Sequence, residues 1–138
     1  MTKYYLDTCI WRDHTENRSD AHRPIGTFAT RFLEKIIRER HTIVWSDVLE
    51  HELRNSPKRS YPESLREKLL LQGLLQECQS TPEQIAEAID LSETRLVPAS
   101  DALHAIISRD MNAVLITRDA HFQELRDIAL PRAPEDAT

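Results

Sequence analysis

Four of the 23 acidic residues stand where a carboxylate is expensive. Asp7 directly follows the apolar run Tyr4-Tyr5-Leu6, and Asp119 comes three positions after Ala113-Val114-Leu115-Ile116. Glu52 lies four residues after Val48 and three after Leu49, so helical spacing puts all three on one face. Asp101 opens the nearly continuous apolar helix signal Ala102-Leu103-His104-Ala105-Ile106-Ile107. Each has an ordinary explanation taken alone: strand-end turns for Asp7 and Asp119, a helix-dipole contact for Asp101, and an ion pair with Arg54 or Arg31 for Glu52. One explanation covers all four. Carboxylates gathered within several ångströms repel, by about 4 kcal/mol for a pair ~4 Å apart at an effective dielectric of ~20. Such a cluster takes up protons or holds a divalent cation. Oxygen ligands with room for waters suit Mg²⁺ or Mn²⁺.

The elements that must position these acids are legible from periodicity. Residues 4–6, 42–45 and 113–116 are short, apolar and β-rich and read as buried strands, with 128–130 as a short last one. Ile25, Phe28, Ala29, Phe32, Leu33, Ile36 and Ile37 repeat at helical spacing after Pro24. Ser46 caps a helix over 47–54, residues 56–62 break the pattern, and a leucine-rich helix is expected over 63–78. Thr81-Pro82-Glu83-Gln84 opens a helix with a capping box, burying Ile85, Ala86 and Ile89. Residues 102–108 form a buried helix. Segment 9–23 reads as a loop holding a helical turn, and the tail 131–138 as frayed beyond a single domain over 1–130. Apolar strands alternating with helices indicate a parallel sheet covered on both faces. In such a sheet Asp7 and Asp119 project toward the crevice at the strands' carboxyl ends.

Composition removes several function classes. The two glycines, Gly26 and Gly73, are too few and too far apart for a phosphate loop, a dinucleotide fingerprint or a nucleophile elbow. Two cysteines, Cys9 and Cys78, cannot build a structural zinc site alone and read as reduced thiols. The N-terminus lacks a signal-peptide layout and no apolar run approaches a membrane span, which predicts a cytoplasmic protein with no membrane partner. A net charge of −5 argues against broad basic binding of nucleic acid; any such contact must be local or made through a metal. A phosphatase-like site wants Asp-x-Asp after the first strand, where this chain has Asp7-Thr8-Cys9.

At this point the sequence resembles a known family. Tyr5-Leu6-Asp7-Thr8-Cys9-Ile10 is similar to the first motif of PIN domains. Ser46-Asp47-Val48-Leu49-Glu50-His51-Glu52-Leu53 is similar to the second, in a register that selects Glu52 over Glu50. Asp101-Ala102-Leu103-His104-Ala105 resembles the third, and Thr117-Arg118-Asp119-Ala120-His121-Phe122 the fourth. The four occur in the family's order, and the length resembles stand-alone PIN proteins, VapC-type toxins among them.

The resemblance implies an α/β/α sandwich around a parallel sheet of about five strands, with a third strand between Cys78 and Thr81 where the β signal is faint. It also implies a metal-dependent ribonuclease using Mg²⁺, with Mn²⁺ as the second choice. Asp7, Glu52, Asp101 and Asp119 would form the acidic cluster and Thr117 a supporting hydroxyl. An RNA substrate, an antitoxin partner and a homodimer follow as expectations, with Leu71 the exposed member of the leucine-rich helix. Arg12 and Arg118, each near a motif acid, are the candidate substrate contacts. His51, His104 and His121 also neighbour motif acids; packing or hydrogen bonding beside the site is the expectation for them, with a histidine–carboxylate transition-metal site as the alternative. A PIN-like module that only binds RNA or protein is the competing function, and loss of a cluster acid would be its mark.

Overall fold

A computed structural model describes residues 2–19, 22–56 and 61–137. Five strands form one all-parallel sheet: β1 (Lys3–Leu6), β2 (Thr42–Ser46), β3 (Leu75–Cys78), β4 (Val114–Ile116) and β5 (Pro131–Arg132), in the order β3-β2-β1-β4-β5. Tyr5 registers with Val44 on one side and Leu115 on the other. These residues are fully buried or nearly so, which is why the strands read as apolar runs without alternation. Helices α1 (Thr8–Glu16) and α2 (Ile25–Glu39) connect β1 to β2, and α3 (Asp47–Arg54) and α4 (Glu63–Leu71) connect β2 to β3. Helices α5 (Pro82–Arg95) and α6 (Ala99–Asp110) carry the chain back across the sheet to β4. Right-handed crossovers therefore put α1–α4 on one face and α5–α6 on the other, a three-layer α/β/α sandwich. The direction of winding reverses between β1 and β4, so that sheet's switch point lies at the carboxyl ends of these two strands.

The structure corrects several expectations. Segment 9–23 is not mainly loop: α1 occupies its first half. Its inward face is Thr8, Ile10, Trp11 and Asp13, and a buried aspartate is invisible to hydrophobic periodicity. Asp13 is held by Arg18 at 3.3 Å and Arg118 at 3.5 Å. The leucine-rich stretch is not one helix. It ends at Leu71 and turns at Gly73, whose φ of +70° suits glycine, and Leu74 N–H bonds back to the Leu69 carbonyl. Leu75–Cys78 is then the third strand, ahead of the place the resemblance indicated. Helix α5 has the expected capping box but buries Ala88 and Leu91, leaving Ile85, Ala86 and Ile89 exposed. It is oriented by packing on α6, reinforced by Arg109 on Glu87 and Gln84 on Asp110. The last strand is Pro131–Arg132 rather than 128–130, and the tail is anchored. Pro134 is buried, Glu135 grips Arg118, and Lys35 donates to the Ala137 carbonyl at 3.3 Å. The break over 56–62 falls partly on residues 57–60, outside the described residues. Both cysteines are free, and no helix among the described residues is long and apolar enough to cross a membrane.

Candidate active site

Local structure places each motif acid at the switch point or against it. Asp7 is the first residue past β1, and its N–H donates to the Ile116 carbonyl at 2.9 Å, so the β1–β4 ladder fixes its position. It is also the N-cap residue of α1, and it is buried. Thr117, the first residue past β4, donates its hydroxyl to Asp7 Oδ2 at 3.0 Å and accepts the Asp119 N–H at 3.1 Å. One hydroxyl thus spaces two acids. Asp119 in turn caps the 3₁₀ turn Ala120–Leu125, its Oδ1 accepting the His121 N–H at 2.9 Å.

Asp101 lies in the first turn of α6. Its Oδ2 is 3.1 Å from His121 Nδ1, which stands 3.1 Å from Asp119 Oδ1 as well. One donor atom from each of these three residues lies within 4.8 Å of the others. On the opposite side, Glu52 Oε1 accepts the Thr8 hydroxyl at 3.0 Å and a hydrogen bond from His104 Nε2. Glu52 does not pair with Arg54, which bonds Glu50 instead. His104 Nε2 also sits 3.8 Å from Asp7 Oδ1. A chain of contacts therefore runs from Glu52 through His104, Asp7, Thr117, Asp119 and His121 to Asp101.

His104 is wholly buried, and both its ring nitrogens are engaged. Nδ1 lies 2.5 Å from the Tyr5 hydroxyl, which is 2.7 Å from Ser46 Oγ, and Ser46 caps α3 by accepting the Leu49 N–H at 3.1 Å. Neither protonation state leaves His104 a lone pair for a metal. The hydrogen-bonding expectation for this residue is what the fold uses.

The electrostatics follow from this packing. Burial and the charges of Asp119 and Asp7 push the Asp101 carboxyl up to about 6, against the pull of the two histidines. Burial opposes the charge on Glu52, but hydrogen bonds from His104 and Thr8 and the nearby Arg12 hold its carboxyl below the usual range. Burial also opposes charge on His104, yet Glu52 and Asp7 raise its pKa. Cys9 stands beside Thr117, and burial together with the Asp7 charge pushes its thiol up, so it is no thiolate nucleophile. Burial and acidic neighbours together drive the Asp101 carboxyl toward protonation, and a divalent cation among these oxygens would relieve the repulsion. The donor set fits such an ion.

The sequence matches the PIN domain family over residues 4–128, which takes in every one of these groups. The chain belongs to the PIN-domain family. No protein of curated function matches it. Among solved structures, this PIN domain is similar to VapBC2 from Rickettsia felis bound to a DNA fragment from its promoter, at 19% identity and a TM-score of 0.65, covering 96% of this chain and 98% of that one. It is also similar to a toxin–antitoxin complex from Klebsiella pneumoniae, at 15% identity and a TM-score of 0.64, covering 95% and 97%. A third is FitAcB from Neisseria gonorrhoeae, at 19% identity and a TM-score of 0.57, covering 96% and 98%.

Several arginines of this PIN domain stand near the acids. Arg118 makes a two-pronged pair with Glu135, at 2.7 and 2.5 Å, and its Nε lies 3.5 Å from Asp13. Arg12 is close enough to lower the Glu52 pKa, yet its buried Nε has no hydrogen-bond partner among the described residues. An open cavity of about 410 Å³ adjoins Thr117 and Asp119 and brings Arg23 and Arg132 beside the acids. Sequence reading missed these two arginines, because both are remote from any motif. It had no signal for Tyr5 either; for His104 the signal was a titratable side chain on a buried apolar helix.

Proposed function

We propose that this protein is a Mg²⁺-dependent endoribonuclease, with Mn²⁺ as the alternative ion, and the toxin of a toxin–antitoxin pair. What supports the reading is that Asp101, Asp119 and His121 offer donor atoms within 4.8 Å of one another in a PIN domain, with Asp7 linked to Asp119 through Thr117 and Glu52 linked to Asp7 through His104. Asp7, Asp101 and Asp119, with Glu52 beside them, would hold the cation. The bound ion supplies Lewis acidity: it lowers the pKa of a water and offsets charge on the phosphodiester oxygens. Thr117 fixes the spacing of Asp7 and Asp119. Glu52, kept ionised by His104 and Thr8 through Oε1, has no hydrogen bond to Oε2 among the described residues, and that oxygen would receive the proton of the attacking water. Arg12 is positioned to meet substrate phosphate, and Arg23 and Arg132 to continue its path. Arg118 would have to exchange Glu135 for a phosphate before it could take part.

The likeness to a toxin–antitoxin complex and to a VapBC assembly supports an antitoxin partner. Four acids attract a cation, and an antitoxin lysine or arginine entering the crevice would compete with the metal. A homodimer belongs to the same reading. The experiment incubates the full chain with a pool of single-stranded RNAs and matched DNAs, in Mg²⁺ or EDTA, beside Asp101→Asn. Cleavage of RNA only, lost in EDTA and in the variant, is expected. Cleavage that survives either change would overturn the reading, and no cleavage at all would favour the binding module. Where a small protein is encoded beside this one, co-expression with it should relieve growth arrest.

A further inference from the structure

We propose that His121 is itself a ligand, so that the metal site of this chain is a mixed nitrogen–oxygen site with a higher affinity for Mn²⁺ than for Mg²⁺, whichever of the two serves turnover. The inference rests on the cation-binding reading above and adds to it a residue and a metal preference. Three observations carry it. First, His121 Nδ1 is 3.1 Å from Asp101 Oδ2 and 3.1 Å from Asp119 Oδ1. Adjacent donors of an octahedral ion with ligands at 2.0–2.1 Å stand about 3 Å apart. These atoms are thus already spaced as ligands of one ion.

Second, the hydrogen bond between His121 Nδ1 and Asp101 Oδ2 accounts for one of the two contacts and not for the equal approach to Asp119 Oδ1. A single Nδ1–H satisfies one of the two oxygens, and Asp119 Oδ1 already accepts the His121 backbone N–H at 2.9 Å. Third, His121 is the histidine at this site that an ion from solvent can reach. His104 has both nitrogens engaged by Tyr5 and Glu52, whereas the His121 side chain is 55% exposed. An imidazole adds affinity for first-row transition ions, while Mg²⁺ gains little from nitrogen.

The test uses Mn²⁺ alone as the probe, on the full chain and on His121→Ala and His121→Gln. Pulsed electron paramagnetic resonance should detect ¹⁴N coupling to bound Mn²⁺ in the wild type and lose it in both variants. Loss of the ligand should weaken Mn²⁺ binding by about tenfold or more, while Mg²⁺ affinity, measured by competition, changes much less. Bound Mn²⁺ without ¹⁴N coupling in the wild type, or coupling that survives His121→Ala, would overturn the inference and leave the acidic cation site standing. Failure of the wild type to bind Mn²⁺ at all would overturn the cation reading itself, and this inference with it.

Discussion

At the scale of single residues, the site sets charge against charge, and the sign of a mutation depends on whether a cation is present. Asn at position 119 keeps the oxygen that accepts the His121 N–H but removes a charge that raises the Asp101 pKa. Without metal, Asp119→Asn should melt no lower than wild type; with Mg²⁺ it should gain less and lose RNA cleavage. A lower melting temperature without metal, together with normal cleavage, would show Asp119 to be only a turn residue. His104 acts through Glu52. Replacing it with Ala leaves the Tyr5 hydroxyl and the Glu52 carboxylate without their buried partner, at a cost of about 2–4 kcal/mol in stability. Turnover should fall with KM little changed, and His104→Gln should restore part of it. Equal loss in both kinetic constants, with no rescue by Gln, would reduce His104 to packing.

At the scale of elements, the close approach of α1 and α2 sets where Asp7 and Arg12 stand. Gly26, in the first turn of α2, donates its N–H to the Arg18 carbonyl at 2.8 Å. A Cβ added at Gly26 would lie 2.6 Å from Asn17 Cα, which is backbone and cannot swing away. Gly26→Ala should therefore cost about 1–3 kcal/mol, read as a lower melting temperature. An unchanged melting curve would mean that the helices separate freely at this crossing. The C-terminal segment is a second such device. Glu135 holds Arg118, and Arg118 lies against Asp13, so the last turn, the start of the 3₁₀ segment and α1 are tied together behind the acids.

At the scale of the whole molecule, the acidic site leaves a mark on stability. The Asp101 pKa is raised in the folded chain, to about 6, so its contribution is fully present below the ordinary carboxylate pKa and is lost as pH rises through about 6. A shift of this size corresponds to at most about 3 kcal/mol, reduced by solvent screening at this half-buried position. Between pH 4 and 7, metal-free wild type should lose stability relative to Asp101→Asn, and Mg²⁺ should restore it at pH 7. A difference between the two melting curves that does not change with pH would contradict the raised carboxyl. The surface carries a second prediction. Leu71 is 82% exposed, and Ile85 and Ile89 form an apolar ridge on α5. Light scattering at tens of micromolar should report a dimer, and Leu71→Glu a monomer if α4 carries the contact. A wild-type monomer would remove the dimer.

What the sequence determined by itself is local. Three strands, the start of α2, the Ser46 cap and the 81–84 capping box follow from short-range pattern. So does the placing of each acid at the end of a strand or on an apolar helix face. The tertiary structure decided whatever depends on partners far along the chain. Tyr5 meets His104 across 99 residues and Glu52 meets it across 52, and no local period records a buried polar group satisfied at that range. The same reason hid Asp13 inside α1, and it left the face of α5 to be chosen by α6. Gly73 divided a leucine run into helix and strand because the sheet beside β2 had a place for Leu75–Cys78. Four acids could be picked out one by one from the sequence, but linking them through Thr117 and two histidines in one chain of contacts took the fold, because only the parallel sheet carries the ends of β1 and β4 to the same point.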